Sequence, residues 1–444
     1  HQAIPMLKYL HLNHVGLAPD IQVEWADRLN LIAGDNGLGK SFLLDLAWWA
    51  LTRTWAGAVA LPTGSKKATI AYGVQGKTPK VTQVQSVFHR PDASWTLPAA
   101  RPVMPGIVVY IRIDGGFSVW DPARNYWRTD PNRPSAYHFK ADEVWNGLEV
   151  NGQRVCEGLE RDWVNWQEGR KPQFTALAKV LEVMSPLQEP LRAGPPQRVF
   201  LGEGRDRPTL LVGNQTVPVA LASAGVRRIL ALVYFLVWAW HEHAVAAKLL
   251  GKKPEDRFVI LFDEPETHLH PRWQRTVLPS LFKAVDELRG QAGTPPQVLV
   301  ATHSPLVAAS VEPIFDESQD DLVHLSLQNG AVAIEQGGWA VQGDVTNWLV
   351  SETFGLEQAR SREAEEAIEA AEAFMRGDDN LPRGLSTRAA IHARLQKLLP
   401  AGDVFWPRWI VKTQLNTQPA ARKRAQSTDA PKATRSKKMP KAKP

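Results

Sequence analysis

Residues Gly34 to Ser41 read Gly-Asp-Asn-Gly-Leu-Gly-Lys-Ser, and few strings constrain the surrounding fold as tightly. In front of them, Leu29-Asn30-Leu31-Ile32-Ala33 reads as a short buried strand. Behind them, Phe42 to Trp49 is apolar at helical spacing. Strand, Gly-rich turn and helix together are the setting a phosphate-binding loop requires. Glycines at 34, 37 and 39 let the backbone wrap closely, so that successive N–H groups point at phosphate oxygens. A helix opening near Lys40 adds its positive N-terminal end. In this pattern Lys40 reaches the β- and γ-phosphates and the Ser41 hydroxyl holds Mg²⁺.

The 444 residues suffice for two or three domains. No run of about 18 consecutive apolar residues is present, so no membrane span is expected. The nearest approach, Ile229 to Trp240, is flanked by Arg227, Arg228 and His241 and reads as a buried helix. No secretory signal is evident, and Met6 rather than His1 reads as the natural start. Cys156 is the single cysteine, which excludes intramolecular disulfides and fits a reducing, cytoplasmic setting. Charge is distributed unevenly. From 421 to 444 nine Lys and Arg stand against Asp429 alone, a surplus larger than the net +6 of the whole chain. The high pI therefore belongs to a Lys/Ala/Pro-rich tail, disordered by composition. Such a tail can contact nucleic acid by a salt-sensitive, sequence-blind route. It can equally be a solvating terminus.

Leu7 to Trp25 reads as two strands around a turn at Ala18-Pro19-Asp20. Further strands are expected at Ala68–Val74, Lys80–Phe88 and Ile107–Ile113. Residues 121–200 change to Trp-rich loops followed by a helical stretch, Phe174 to Met184, and read as a partly helical insertion. Gly213-Asn214-Gln215 is expected to join Thr209–Val212 to Thr216–Val219 as a hairpin, and Asn329-Gly330 to join Leu322–Leu327 to Ala331–Glu335. Ser361 to Met375, capped by Ser361, and Arg388 to Leu399 read as helices. The divisions expected are 6–120, 121–200, 201–345, a helical extension over 346–412 and the tail over 413–444. There is no internal repeat and no long heptad array.

Three further segments carry chemistry. Val259 to Phe262 runs into Asp263-Glu264-Pro265-Glu266. An apolar strand ending in adjacent carboxylates is the pattern of a Walker B segment, in which Asp263 fixes Mg²⁺ and Glu264 polarises the attacking water. A plain strand-end acid pair is the simpler reading of the same residues. Val298 to Ala301 leads to Thr302-His303-Ser304-Pro305, where a histidine just past a strand end can reach the γ-phosphate. Alone, such a histidine is more often structural. Ala222-Ser223-Ala224-Gly225-Val226 precedes the helix opened by Arg227; a hydroxyl and N–H groups there suit an anion, although a helix cap alone explains them.

In chain order — phosphate loop, Ser-x-Gly helix start, Asp-Glu and His — the four segments resemble the ABC-type ATPases of the SMC/Rad50/RecF kind, over residues 7 to about 335. The resemblance implies an α/β fold: an ABC-type P-loop NTPase head with a mixed sheet, a β-subdomain, a partly helical insertion and a helical C-terminal extension. It implies ATP and Mg²⁺ as cofactors. Gly34, Asn36, Gly37, Gly39, Lys40 and Ser41 would bind nucleotide, with Ser41 and Asp263 at the metal. Lys40, Glu264 and His303 would be catalytic, His303 as the switch histidine. Ser223 and Gly225 match the signature that faces the γ-phosphate held by another subunit, so at least a dimer sandwiching ATP is implied. The usual mid-domain glutamine is not evident, and Asp114 is the residue expected in its place. After Walker B, Glu266-Thr267-His268-Leu269-His270-Pro271 is similar to ATPases of bacterial anti-phage systems of the Septu (PtuA), retron and OLD kinds. Phe354-Gly355-Leu356 and Phe405-Trp406-Pro407-Arg408-Trp409 resemble the Septu and retron ATPases. Two close histidines, His268 and His270, with no third nearby do not read as a zinc site.

The resemblance to the Septu group implies an ATP-binding, slowly hydrolysing regulator of a separate HNH nuclease subunit in anti-phage defence. A DNA-binding repair ATPase of the SMC/RecF type is the alternative, disfavoured by the missing arms. An OLD-like ATPase–nuclease is a third reading; no second sheet with a Glu and an Asp-x-Asp pair follows His303. A membrane-transporter ATPase leaves the insertion and the C-terminal extension without a role.

Overall fold

The computed structural model describes residues 7–415, apart from 17, 77, 100–101, 127–132, 291–292, 357–358 and 379–380. The basic tail expected over 413–444 lies, from 416 onward, outside the described residues. The chain divides after Leu356 into two compact units.

The first unit opens with β1 (Leu7–Val15), β2 (Ala18–Glu24), β3 (Leu29–Gly34) and α1 (Lys40–Thr52). There follow β4 (Thr69–Gln75), β5 (Val81–His89), β6 (Ser94–Trp95), β7 (Ile107–Ile111) and β8 (Phe117–Trp120). The segment expected as an insertion contains β9 (Tyr137–Phe139), α2 (Ala141–Asn146), β10 (Leu148–Val150), β11 (Gln153–Cys156), α3 (Leu159–Glu168), α4 (Pro172–Met184) and β12 (Arg192–Gln197). After it come β13 (Arg207–Val212), β14 (Gln215–Pro218), α5 (Ala224–Leu249), β15 (Phe258–Asp263), α6 (Pro271–Gln274), α7 (Val277–Arg289) and β16 (Gln297–Ala301). The unit closes with α8 (Pro305–Val311), β17 (Asp320–Gln328), β18 (Ala331–Gln336) and α9 (Val345–Leu349).

An eight-stranded mixed sheet in the order β18-β17-β3-β16-β15-β7-β8-β9 is the frame. Strands β17, β3, β16, β15 and β7 are parallel neighbours, and antiparallel strands flank them on both sides. Parallel strands are covered on both faces, so they read as continuous apolar runs. That is why β3, β7, β15 and β16 are buried at every residue. Alternate side chains serve two cores. Leu31, Val109, Ile260 and Val300 point into the one containing α5; Ile32, Val108, Val259 and Leu299 point into the one containing α1. A second sheet, β2-β1-β4-β5-β6, makes the β-subdomain over α1. Buried Gln297 ties it to β16, accepting from Leu7 N–H (2.9 Å) and donating to the Leu7 (2.8 Å) and Ala26 (3.0 Å) carbonyls.

The α/β class with mixed sheet, β-subdomain and helical C-terminal extension is the architecture observed. The central helix α5 has the length and composition of a membrane span, but two-thirds of its most apolar stretch is buried inside the unit, which accounts for its hydropathy. Three local expectations are corrected. Ala18, Pro19 and Asp20 are not a turn but the start of β2; Val15 pairs with Ala18, so the chain reverses at Gly16. Proline is tolerated there because β2 is an edge strand of its sheet. The hairpin β13–β14 pairs Val212 with Gln215, leaving a two-residue turn, Gly213-Asn214. Residues 121–200 carry four strands as well as helices, and β9 extends the main sheet. The Asn329-Gly330 turn is as expected, with both residues at positive φ and Gln328 paired with Ala331.

The second unit holds α10 (Arg362–Arg376), α11 (Arg388–Leu398) and α12 (Phe405–Leu415). Ala367, Ile368, Ile391, Leu395 and Trp409 form its own small core. Ser361 caps α10 by accepting from Ala364 N–H, and Arg360 pairs with Asp403. Pro407 sits in the first turn of α12, where no intrahelical N–H is lost.

Candidate nucleotide site

The site forms where β3, β15 and β16 end side by side. Register sets this: Asp263 is opposite Ala301, and Ala301 is opposite Ile32. The loop after β3, the Walker B turn after β15 and the histidine turn after β16 therefore converge.

The loop is shaped for a guest. Gly34 adopts φ +140°, and a Cβ there would meet the Leu325 carbonyl oxygen of β17 at 2.2 Å. Its first glycine is thus required by packing on a neighbouring strand. Gly37, at φ +80°, has open space around it, and Asn36 is exposed beside it. Gly39 precedes α1, whose first residue is Lys40. Buried Lys40 folds back and donates to the Gly34 (2.7 Å) and Asp35 (2.8 Å) carbonyls. Burial pulls its ammonium down to about 8, against the pull of carboxylates on Glu264, Asp35, Glu266 and Asp263. A cation held by two neutral carbonyls and short of solvent is primed for an anion.

Ser41 Oγ donates to Asp263 Oδ1 at 3.0 Å. Burial raises the Asp263 carboxyl to about 6, with the Ser41 hydrogen bond opposing. A hydroxyl and a carboxylate held together, both hard oxygen donors, fit Mg²⁺. Next in sequence, Glu264 takes φ +46° while its N–H still donates to Ala301 O at 2.9 Å. Left-handed backbone in a non-glycine residue costs about 1–2 kcal/mol and clusters at functional positions. The turn carries the Glu264 carboxylate to His303, whose Nε2 lies 3.1 Å from Oε1. Burial, then the Lys40 charge, lower the His303 value and so favour its neutral ring beside the Glu264 carboxylate.

Sequence reasoning missed four contributors. Glu266, which the sequence shows only as part of a string, is half-buried and accepts from Thr302 Oγ1 and from His303 N–H. Arg228, on α5, donates through Nη2 to the Asp263 and Glu264 carbonyls, both at 3.1 Å. Tyr110 on β7 donates to Asp45 Oδ1 on α1 at 3.1 Å, and the Asp45 charge adds to the upward push on the Asp263 carboxyl. Only Glu266 had a sequence signal, as a second acid after an apolar strand; the others are made by packing between distant segments.

Ser223 and Gly225 are not among the groups that line the loop. Ser223 is exposed and caps α5, its Oγ accepting from Val226 N–H at 3.4 Å. A Cβ on Gly225 would meet the His268 carbonyl at 2.5 Å, so this glycine lets α5 approach the turn after Walker B. Asp114 is solvent-facing; it pairs with Arg112 at 3.1 Å and accepts from Gly116 N–H, closing the β7–β8 turn. His270 caps α6, its Nδ1 accepting from Arg272 N–H.

Comparison with known proteins gives three findings. A family described as an AAA ATPase domain matches residues 160–308. A 100-residue segment is 30% identical to the Retron Ec83 probable ATPase of Escherichia coli, spanning 22% of this chain and 15% of that protein's length. Among solved structures, an SMC head bound to the C-winged helix domain of ScpA is 14% identical, with 75% of this chain and 97% of that chain covered and a TM-score of 0.40. RecF bound to ATP is 12% identical, with 76% and 99% covered and a TM-score of 0.36.

Proposed function

We propose that this chain is an ABC-type ATPase whose nucleotide site is completed by a second copy, and that it assembles with and regulates a nuclease in anti-phage defence. The observation that carries the ATPase reading is the meeting of Lys40, Ser41, Asp263, Glu264 and His303 where the central strands β3, β16 and β15 end.

Loop N–H groups and Lys40 hold the β- and γ-phosphates, replacing the Gly34 and Asp35 carbonyls that now engage the ammonium. Ser41 and Asp263 would hold Mg²⁺, which when bound neutralises charge on the phosphate oxygens. Glu264 accepts a proton from the attacking water, and His303 turns the ring nitrogen that now faces Glu264 to donate to the γ-phosphate once nucleotide is bound. Ser223, exposed at the N-terminus of α5, is free to face the γ-phosphate held by the other copy. Nucleotide occupancy then sets subunit geometry, and through it the partner.

The defence role and an HNH-type nuclease partner rest on the Glu266–Pro271 string and on the short retron-ATPase match. The nine basic residues of 421–444 support an added, salt-sensitive contact with nucleic acid. Steady-state turnover of Glu264→Gln tests the ATPase reading. Hydrolysis should fall by at least about 100-fold with ATP affinity kept, as expected for removal of a general base; unchanged turnover would sink it.

A further inference from the structure

We propose that Glu266 is a positioning residue for hydrolysis: it latches the β16 end to the Walker B turn and so keeps His303 on the Glu264 carboxylate. The inference deepens the ATPase reading above and rests on it.

Glu264 and Glu266 flank Pro265 at the end of β15, yet their carboxylates have different tasks. Glu264 faces the His303 ring. Glu266 turns to the backbone beneath that ring. Its Oε1 accepts from His303 N–H at 2.6 Å, and both its oxygens lie 2.9 Å from Thr302 Oγ1. Thr302 is fully buried, its N–H donates to Ile32 O of β3 at 3.0 Å, and its Oγ1 accepts from Ser304 N–H. One carboxylate thus joins the Walker B turn to the residue that lies between the β3 end and His303. The other side of the frame is set by Glu264 N–H on Ala301 O.

Taking a carboxylate partly out of water is costly, and a neutral residue would close the same turn more cheaply. What it adds is strength and direction: charge-assisted hydrogen bonds from two adjacent residues fix the strand end in angle as well as distance. The Glu264–His303 contact depends on that angle, because the part-exposed His303 ring reaches Glu264 from a backbone that Glu266 holds. Partners of this kind, one step removed from the reacting groups, orient them without touching substrate.

The test uses the full chain and measures kcat and KM for ATP alongside the melting temperature. Glu266→Ala should lower kcat by about 10–100-fold while KM moves less than about threefold, the range for loss of an orienting partner. Glu266→Gln keeps an acceptor oxygen for His303 N–H and should recover most of the lost turnover. Thr302→Ala breaks the latch from the other side; its effect should be less than additive with Glu266→Ala, and it stands in should Glu266→Ala fail to fold. The proposal is overturned by parental kcat in Glu266→Ala or Thr302→Ala, by a loss confined to KM, or by Glu266→Gln being as impaired as the alanine variant. Glu264→Gln assayed in parallel separates the two levels. If it still hydrolyses ATP, the ATPase reading itself fails; if it is inactive while Glu266→Ala is not, only the role of Glu266 falls.

Discussion

Gly34 and Gly37 occupy equivalent-looking places in the phosphate loop, yet alanine should be tolerated very differently at the two. At Gly34 the added Cβ would lie 2.2 Å from Leu325 O and 3.0 Å from Leu325 C. Ordinary C···O contacts begin near 3.3 Å, so the overlap is about 1 Å against main chain in a buried strand. Relieving it means moving β3 from β17, and such overpacking costs about 1–3 kcal/mol. The backbone adds its own term, since φ +140° is a region essentially restricted to glycine, at about 1–3 kcal/mol. Gly34→Ala should therefore cost about 2–6 kcal/mol, and at roughly 2 °C per kcal/mol lower the melting temperature by about 4–12 °C. At Gly37 nothing lies within 4 Å of the added Cβ, and only the left-handed φ of +80° is penalised. Gly37→Ala should cost about 1–2 kcal/mol, with its larger effect on ATP affinity because the loop N–H groups are displaced. Differential scanning calorimetry of both variants without nucleotide decides the matter. Equal melting temperatures, or a Gly34→Ala loss below about 1 kcal/mol, would refute the packing argument.

Two further outcomes are expected. Burial raises the Asp162 carboxyl to about 6, although Tyr234 OH donates to it at 2.7 Å. Its folded-state value lies above the unfolded one, so stability falls as pH rises from about 4 to 6 and stays lower beyond; Asp162→Asn should gain up to roughly 3 kcal/mol at pH 7.5 and nothing near pH 4, and an equal effect in urea melts at both would contradict this. Asp320 is fully buried in its side chain and accepts from Arg28 and from Leu29 N–H (3.0 Å), so Asp320→Ala strands the guanidinium at the start of β3 and should cost about 3–5 kcal/mol by denaturant midpoint; a loss under 1 kcal/mol would contradict it.

The site's parts were legible because each sits on a local pattern. Strand, glycine turn and helix around Lys40 need only sequence neighbours, as do the apolar runs before Asp263 and His303. The Asn329-Gly330 hairpin was legible for the same reason. What escaped depends on partners far along the chain. Arg228 reaches Asp263 and Glu264 across 35 and 36 residues, and Glu266 reaches Thr302 across 36. Pro19 reads as a turn because proline usually interrupts a strand, and only the edge position of β2 removes that objection. Gly34 reads as a phosphate-loop glycine, and its close approach to β17, which leaves no room for a Cβ, cannot be foreseen without the strand order. Ser223 is the informative case. Its cap on α5 was expected as the simpler reading, and it leaves the hydroxyl-bearing helix end exposed rather than turned to the chain's own loop.

That exposed end makes the central claim one about two copies. The most direct measurement is the mass in solution of Glu264→Gln, which should bind ATP without consuming it, with and without ATP and Mg²⁺. The mass should double when ATP is added, and Ser223→Arg in the same background should abolish the doubling. An ATP-saturated Glu264→Gln protein whose mass equals that of the nucleotide-free form would contradict the composite site.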